Sequence, residues 1–123
     1  MNFDDQDLLD SLEAVSLTEL DQAGFGLVVM DRDGLVLGYN ERESRLSGLP
    51  PASVTGRHFF TEVGPCTNNF MVAQRYADAG AGGDELDEQL DYVFTFRMAP
   101  TPVRLRLLAR EGSARQYLAV QPR

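Results

Sequence analysis

The stretch Leu90–Val120, LDYVFTFRMAPTPVRLRLLAREGSARQYLAV, decides the fold. Leu90, Tyr92, Phe94, Phe96 and Met98 alternate with Asp91, Val93, Thr95 and Arg97. Side chains of a strand point to opposite faces in turn, so this period-2 pattern predicts a strand with an aromatic inner face. Pro100 and Pro102 break it, because proline brings no N–H to a ladder. Alternation resumes over Val103–Ala109, with Val103, Leu105 and Leu107 across the pleat from Arg104 and Arg106. Glu111-Gly112-Ser113 turns the chain, and Gln116–Val120 is the last strand. Consecutive strands with short connections pair antiparallel.

Upstream, Phe25–Met30 (FGLVVM) has the length and β-branching of a buried strand. Asp31-Arg32-Asp33-Gly34 reads as a turn and Leu35–Tyr39 as a second strand, closing a hairpin. Asn40 is a good N-cap, with Glu43 at the third helical position, and a short helix through Arg42–Leu46 should stop near Gly48. Pro51 starts a further helical turn that ends at Gly56. Phe70–Ala79 reads as the longer helix, with Phe70, Ala73 and Ala77 on one side; Gly80, Gly82 and Gly83 end it. Asp84–Glu88 reads as an acidic loop.

Residues 1–22 form an acidic segment in which Leu8, Leu9, Leu12 and Val15 share one helical face, and Leu17 and Leu20 repeat the pattern. The expectation is a small amphipathic cap over residues 1–22 and a core over residues 23–123. A hairpin, short helices, one longer helix and three strands make an α+β domain. It resembles the PAS fold: a five-stranded antiparallel sheet with helices on one face, plus the N-terminal helical cap.

Composition narrows the function. At 123 residues the chain is the size of one domain. A formal net charge of −8 repels nucleic acid. No apolar run approaches the roughly 18–20 residues of a membrane span, and the acidic start does not read as a secretory signal. The expectation is a cytoplasmic protein, with no nucleic-acid or membrane partner, present as a monomer. One cysteine and one histidine do not make a zinc site.

The single cysteine, Cys66, lies in Gly56–Phe70, GRHFFTEVGPCTNNF. A thiol between proline and threonine, with Phe59, Phe60 and Phe70 around it, suggests the wall of a pocket. On residue type alone a buried structural thiol is the commoner case. A Cys–His thioesterase or hydrolase would need His58 as its base, and the chain offers no G-x-S-x-G-like elbow. Glu43 has two readings: its carboxyl reaches back to the helix start, or it is buried against a ligand. Tyr39 is read as core or as Glu43's partner, since it ends the strand four residues before it. His58 is read as a solvent-facing or capping residue. Arg97, Arg104, Arg106 and Arg110 are read as solvated charges balancing the acidic cap.

The segments GYNERESRLSGLP, GRHFFTEVGPCTNNF and YVFTFRMAPTPV together resemble the photoactive yellow protein (xanthopsin) family over nearly the whole chain, most weakly in residues 1–22. The resemblance implies a blue-light photoreceptor, not an enzyme, with 4-hydroxycinnamic acid (p-coumaric acid) held as a thioester on Cys66. It implies that Tyr39 and Glu43 hydrogen-bond the phenolate oxygen, and that Ser47, where the family usually has threonine, supports the Tyr39 hydroxyl. Phe59, Phe60, Phe94, Phe96 and Met98 match pocket positions, and Met98 assists thermal return to the dark state. The implied output is trans–cis isomerisation, proton transfer from Glu43, loosening of the cap, and engagement of a downstream signalling protein.

The chemistry is consistent with that implication. A buried phenolate needs donors, and Glu43 donates only when protonated, a state that burial favours. Departures from the family pattern are local. Leu49 stands where an arginine often lids the phenolic end, with Arg45 and Arg97 the candidate substitutes. Phe96 replaces a common tyrosine, and the loop after Cys66 is about two residues shorter, a region where length varies readily. The alternative is a chromophore-free PAS protein-interaction module whose aromatic stripe is only core.

Overall fold

The computed structural model describes residues 1–95 and 99–123. Five strands form one antiparallel sheet: β1 (Gly26–Asp31), β2 (Val36–Tyr39), β3 (Leu86–Phe94), β4 (Thr101–Ala109) and β5 (Arg115–Pro122), in the order β2-β1-β5-β4-β3. The last three strands form a meander, and β1 joins it by pairing with β5 from Gly26↔Val120 to Asp31↔Arg115. Among the described residues the α-helices are α1 (Leu8–Ala14), α2 (Glu41–Ser47), α3 (Pro51–Val54) and α4 (Ala73–Gly82), with short 3-10 and π turns between elements.

Both faces of the sheet are covered. Val28, Met30, Val36, Val103, Leu105, Leu107, Leu118 and Val120 point into the main core beneath the helices that follow β2. Leu27, Val29, Leu108, Tyr117 and Ala119 point the other way, onto Phe3, Leu8, Leu9, Leu12 and Leu20 of the N-terminal segment. A strand covered on both faces has no polar side, which explains why FGLVVM reads as an unbroken apolar run. The cap thus buries the face of the sheet opposite to the main core.

Several expectations need correction. The helix expected at Phe70–Ala79 begins at Ala73 and runs through Gly80 to Gly82, and Gly83 closes it at φ +66°. Its buried side chains are Tyr76 and Ala79, with Val72 just before it, whereas Phe70 is 80% exposed. The Asn69 side chain accepts from the Met71 and Val72 N–H groups at 3.0 and 3.1 Å, which occupies the chain in a turn and delays the helix. The acidic stretch Asp84–Glu88 already enters β3 at Leu86. As an edge strand, β3 can carry charges on its solvent side. Pro102 is the second residue of β4, near a strand start where proline is tolerated.

Arg106 is the largest correction. It is 4% exposed, under the cap rather than in solvent. Its Nε and Nη2 donate to the two Asp87 carboxylate oxygens at 2.8 and 2.9 Å. Its Nη1 donates to the backbone carbonyls of Phe3 and Asp5 at 2.9 and 2.7 Å. Arg104 and Arg110 are exposed pairs, Arg104 with Asp91 on β3 and Arg110 with Asp10 of the cap. Arg97 lies outside the described residues.

Candidate functional site

The local fold brings the Tyr39 hydroxyl to the Glu43 carboxyl. Tyr39 ends β2, Asn40 caps α2, and Glu43 and Ser47 stand one turn apart on the same helix face. Asn40 uses all of its hydrogen-bonding capacity. Its Oδ1 accepts from Leu27 N and Glu43 N, and its Nδ2 donates to Phe25 O and Leu20 O. This amide therefore fixes the start of α2 to β1 and to the chain leaving the cap.

The Glu43 carboxyl does not reach back to the helix start. The Asn40 N–H that a capping glutamate would seek already donates to Leu27 O at 3.1 Å. The Glu43 side chain turns inward instead and is 0% exposed. The Tyr39 hydroxyl donates to Ser47 Oγ at 2.8 Å and lies 3.4 Å from Glu43 Oε2. One hydroxyl hydrogen serves the shorter bond, so Oε2 is only weakly paired. Among the described residues Glu43 Oε1 is the buried side-chain oxygen with no partner. Burial pushes the Glu43 carboxyl up to about 8, with the Tyr39 hydrogen bond opposing it. Burial thus favours the neutral form of the group, and Oε1 has no partner among the described residues. The Tyr39 phenol is pushed far up from its ordinary value, first by burial and then by the Glu43 charge.

Gly26 belongs to this site. A Cβ there would lie 2.6 Å from Glu43 Oε1 and 3.2 Å from the Val120 carbonyl oxygen, so the carboxyl occupies the space the glycine leaves. A glycine inside a strand often marks such a close approach.

Phe59, Phe60 and Phe94 are buried in the same apolar cluster as Tyr39. Phe59 and Phe60 meet edge to face at 5.3 Å, in a one-turn π-helix over Phe59–Val63. Phe96 and Met98 lie outside the described residues. Cys66 is a free, half-buried thiol in a short 3-10 turn, Pro65–Thr67, and packs against that same cluster. Phe70, expected at the pocket wall, points to solvent.

Leu49 packs against the cluster and lines a small cavity of about 100 Å³ with Ser53, Val54, Arg57, Glu62 and Val63. Arg45 pairs with Glu41 on the exposed side of α2. Arg57, which sequence reasoning passed over, is the arginine beside Leu49. His58 Nδ1 accepts from Thr61 N at 3.2 Å, the capping role expected of it.

A neutral buried acid with a vacant donor site, and a free thiol in the wall of the same cluster, suit a ligand with an anionic oxygen at one end and an acyl group at the other. Comparison with known proteins identifies the family. A family of PAS fold matches residues 20–120. The photoactive yellow protein of Halochromatium salexigens is 36% identical over 107 residues, covering 87% of this chain and 85% of that one. The chain belongs to the photoactive yellow protein family. The family member of Rhodobacter capsulatus is 29% identical over 113 residues, 92% of this chain and 90% of that one. The crystal structure of the photoactive yellow protein domain from the sensor histidine kinase Ppr of Rhodospirillum centenum superposes with a TM-score of 0.81. It is 38% identical and covers 91% of this chain and 97% of that one. The PAS fold and the photoreceptor family are therefore as the sequence implied, and family membership displaces the Cys–His hydrolase reading.

Proposed function

We propose that this chain is a blue-light photoreceptor that carries a 4-hydroxycinnamoyl group as a thioester on Cys66. The observation that carries the proposal is Glu43 Oε1: a fully buried carboxyl oxygen with no partner, in a chain whose free thiol packs against the same cluster. When bound, that group supplies visible absorption and a double bond that isomerises in light. The chain supplies the rest. Glu43 and Tyr39 would donate to the phenolate oxygen, the Tyr39 hydrogen turning away from Ser47 Oγ, so that the Ser47 hydroxyl then donates to the Tyr39 oxygen. Phe59, Phe60 and Phe94 exclude water, with Phe96, Met98 and Leu49 completing the pocket.

With the group bound, Glu43 would be the residue whose carboxyl proton moves to the phenolate oxygen after light absorption. The carboxylate left behind is buried and unpaired, a state that costs several kcal/mol. A domain stable by only about 5–15 kcal/mol answers by local opening, here of the cap of residues 1–22 away from the core of residues 23–123. The opened form engages a downstream signalling protein. That a similar domain belongs to a sensor histidine kinase supports such an output. The acidic surface fits a cytoplasmic monomer without nucleic-acid or membrane partners.

The test is colour. The chain treated with activated 4-hydroxycinnamate is expected to turn yellow and to bleach reversibly under blue light; a colourless or light-inert product contradicts the proposal and favours a chromophore-free interaction module. Glu43→Gln should retain the group, shift its absorption and weaken the light-induced change. An unaltered spectrum and photocycle would rule out the donor role.

A further inference from the structure

The backbone around Cys66 is held from outside its own turn. The Tyr92 hydroxyl, on β3, donates to the Cys66 carbonyl at 2.5 Å. That same hydroxyl accepts from Asn69 Nδ2 at 2.6 Å, and Asn69 Nδ2 also lies 3.2 Å from the Cys66 carbonyl. Asn69 Oδ1 faces the other way and takes the Met71 and Val72 N–H groups, fixing the chain that leads into α4. One amide and one phenol thus tie the Cys66 carbonyl to a sheet strand and to the helix entrance.

We propose that Asn69 and Tyr92 are positioning residues for Cys66: together they set where the thiol, and any group attached to it, enters the pocket. The proposal rests on Cys66 being the attachment site. Within the turn the buried Thr67 hydroxyl donates to the Gly64 carbonyl at 2.6 Å, but this bond does not reach the Cys66 carbonyl. A three-residue 3-10 helix is a weak element, and Thr67 N to Gly64 O and Asn68 N to Pro65 O are its own backbone bonds. The Cys66 carbonyl would otherwise be free to swing with the tether. With the clamp closed, a displacement at the sulfur passes to β3 and to the start of α4 through two short hydrogen bonds. Tyr92 is only half-buried, and its ring packs edge-on against Phe94 at 6.3 Å, so removing its hydroxyl leaves the ring contact in place.

The experiment has two readouts on the full chain. Hydrogen exchange is followed at the Thr67 and Asn68 amides without any ligand, and absorption is measured after labelling with activated 4-hydroxycinnamate. Tyr92→Phe removes the donor to Cys66. Asn69→Asp keeps the acceptor for Met71 and Val72 but turns the Tyr92 hydroxyl away from Cys66. Each variant should speed exchange at Thr67 and Asn68 about three- to tenfold, the size of one net hydrogen bond, with β1 and β5 amides unchanged. Each should also shift the absorption band of the labelled chain, which a merely structural role would not do. Wild-type exchange at Thr67 and Asn68, or an unshifted band in both variants, overturns the positioning role. Failure of the wild-type chain to take the label would defeat the photoreceptor reading itself, and the exchange data would still judge the clamp.

Discussion

The two faces of the sheet bury their central polar groups in opposite ways. On the cap face, Arg106 makes four hydrogen bonds: two to Asp87 and two to carbonyls of the cap. On the pocket face, Glu43 is fully buried with one oxygen weakly paired and the other without a partner. A satisfied buried charge holds an element in place, whereas an unsatisfied buried acid is a stored cost that a ligand or a proton shift can change. The cap face is built as a latch and the pocket face as a trigger. The latch bonds to backbone carbonyls of residues 3 and 5, so it releases with the segment rather than with any one cap side chain.

The largest expected effect tests the latch. Arg106→Ala strands Asp87 and two carbonyls of the cap, and should cost about 2–4 kcal/mol in denaturant unfolding. It should also expose the N-terminal residues to protease under native conditions. A variant of wild-type stability with an intact cap would break the contrast between the faces. Next comes Gly26→Ala on the pocket face. The added methyl would press on Glu43 Oε1 and the Val120 carbonyl, for an expected loss of about 1–3 kcal/mol. A neutral result would mean that Glu43 does not occupy the position described.

The pH dependence of the unlabelled chain sharpens the comparison further. The Glu43 carboxyl is raised in the fold from 4.5 to about 8. Between those values the unfolded chain has lost the proton and the folded chain keeps it. The contribution is fully present below about pH 4.5 and is lost as pH rises through about 8. Wild-type stability should therefore fall relative to Glu43→Gln by about 1.4 kcal/mol per pH unit across this window. Parallel pH profiles for the two proteins would show that Glu43 is not a buried neutral acid. The smallest effect belongs to the exposed Arg110–Asp10 pair, also between sheet and cap. Arg110→Ala should cost no more than about 1 kcal/mol, and added salt should erase the difference. A large, salt-resistant loss would move the latch from Arg106 to the rim.

How far these features were legible in the sequence follows from the range of the forces that make them. The strands were legible because alternation is local: Val103, Leu105 and Leu107 show their face within seven residues. Asn40 was legible as a cap, since N-capping acts within one turn, but its bonds to Phe25 and Leu20 were not. Arg106 misled because a cation alternating with leucines reads as a solvent face, and the cap that covers it comes from a hundred residues away in the chain. Glu43 was undecided until the Asn40 N–H was seen to be committed to Leu27. The Tyr39–Glu43 pairing was legible from the four-residue spacing, whereas Ser47 came only through the family resemblance. Asn69 and Tyr92 were not, because a loop amide and a strand tyrosine carry no mark of meeting across 23 residues. The late start of α4 has the same origin, for the Asn69 side chain takes the N–H groups with which the helix was expected to begin.

The account stands on Cys66 as the point of attachment, and intact-mass spectrometry tests that most directly. After incubation with activated 4-hydroxycinnamate, the wild-type chain should gain the mass of one 4-hydroxycinnamoyl group, and Cys66→Ala should gain none. No adduct on the wild-type chain, or one that persists in Cys66→Ala, would contradict it.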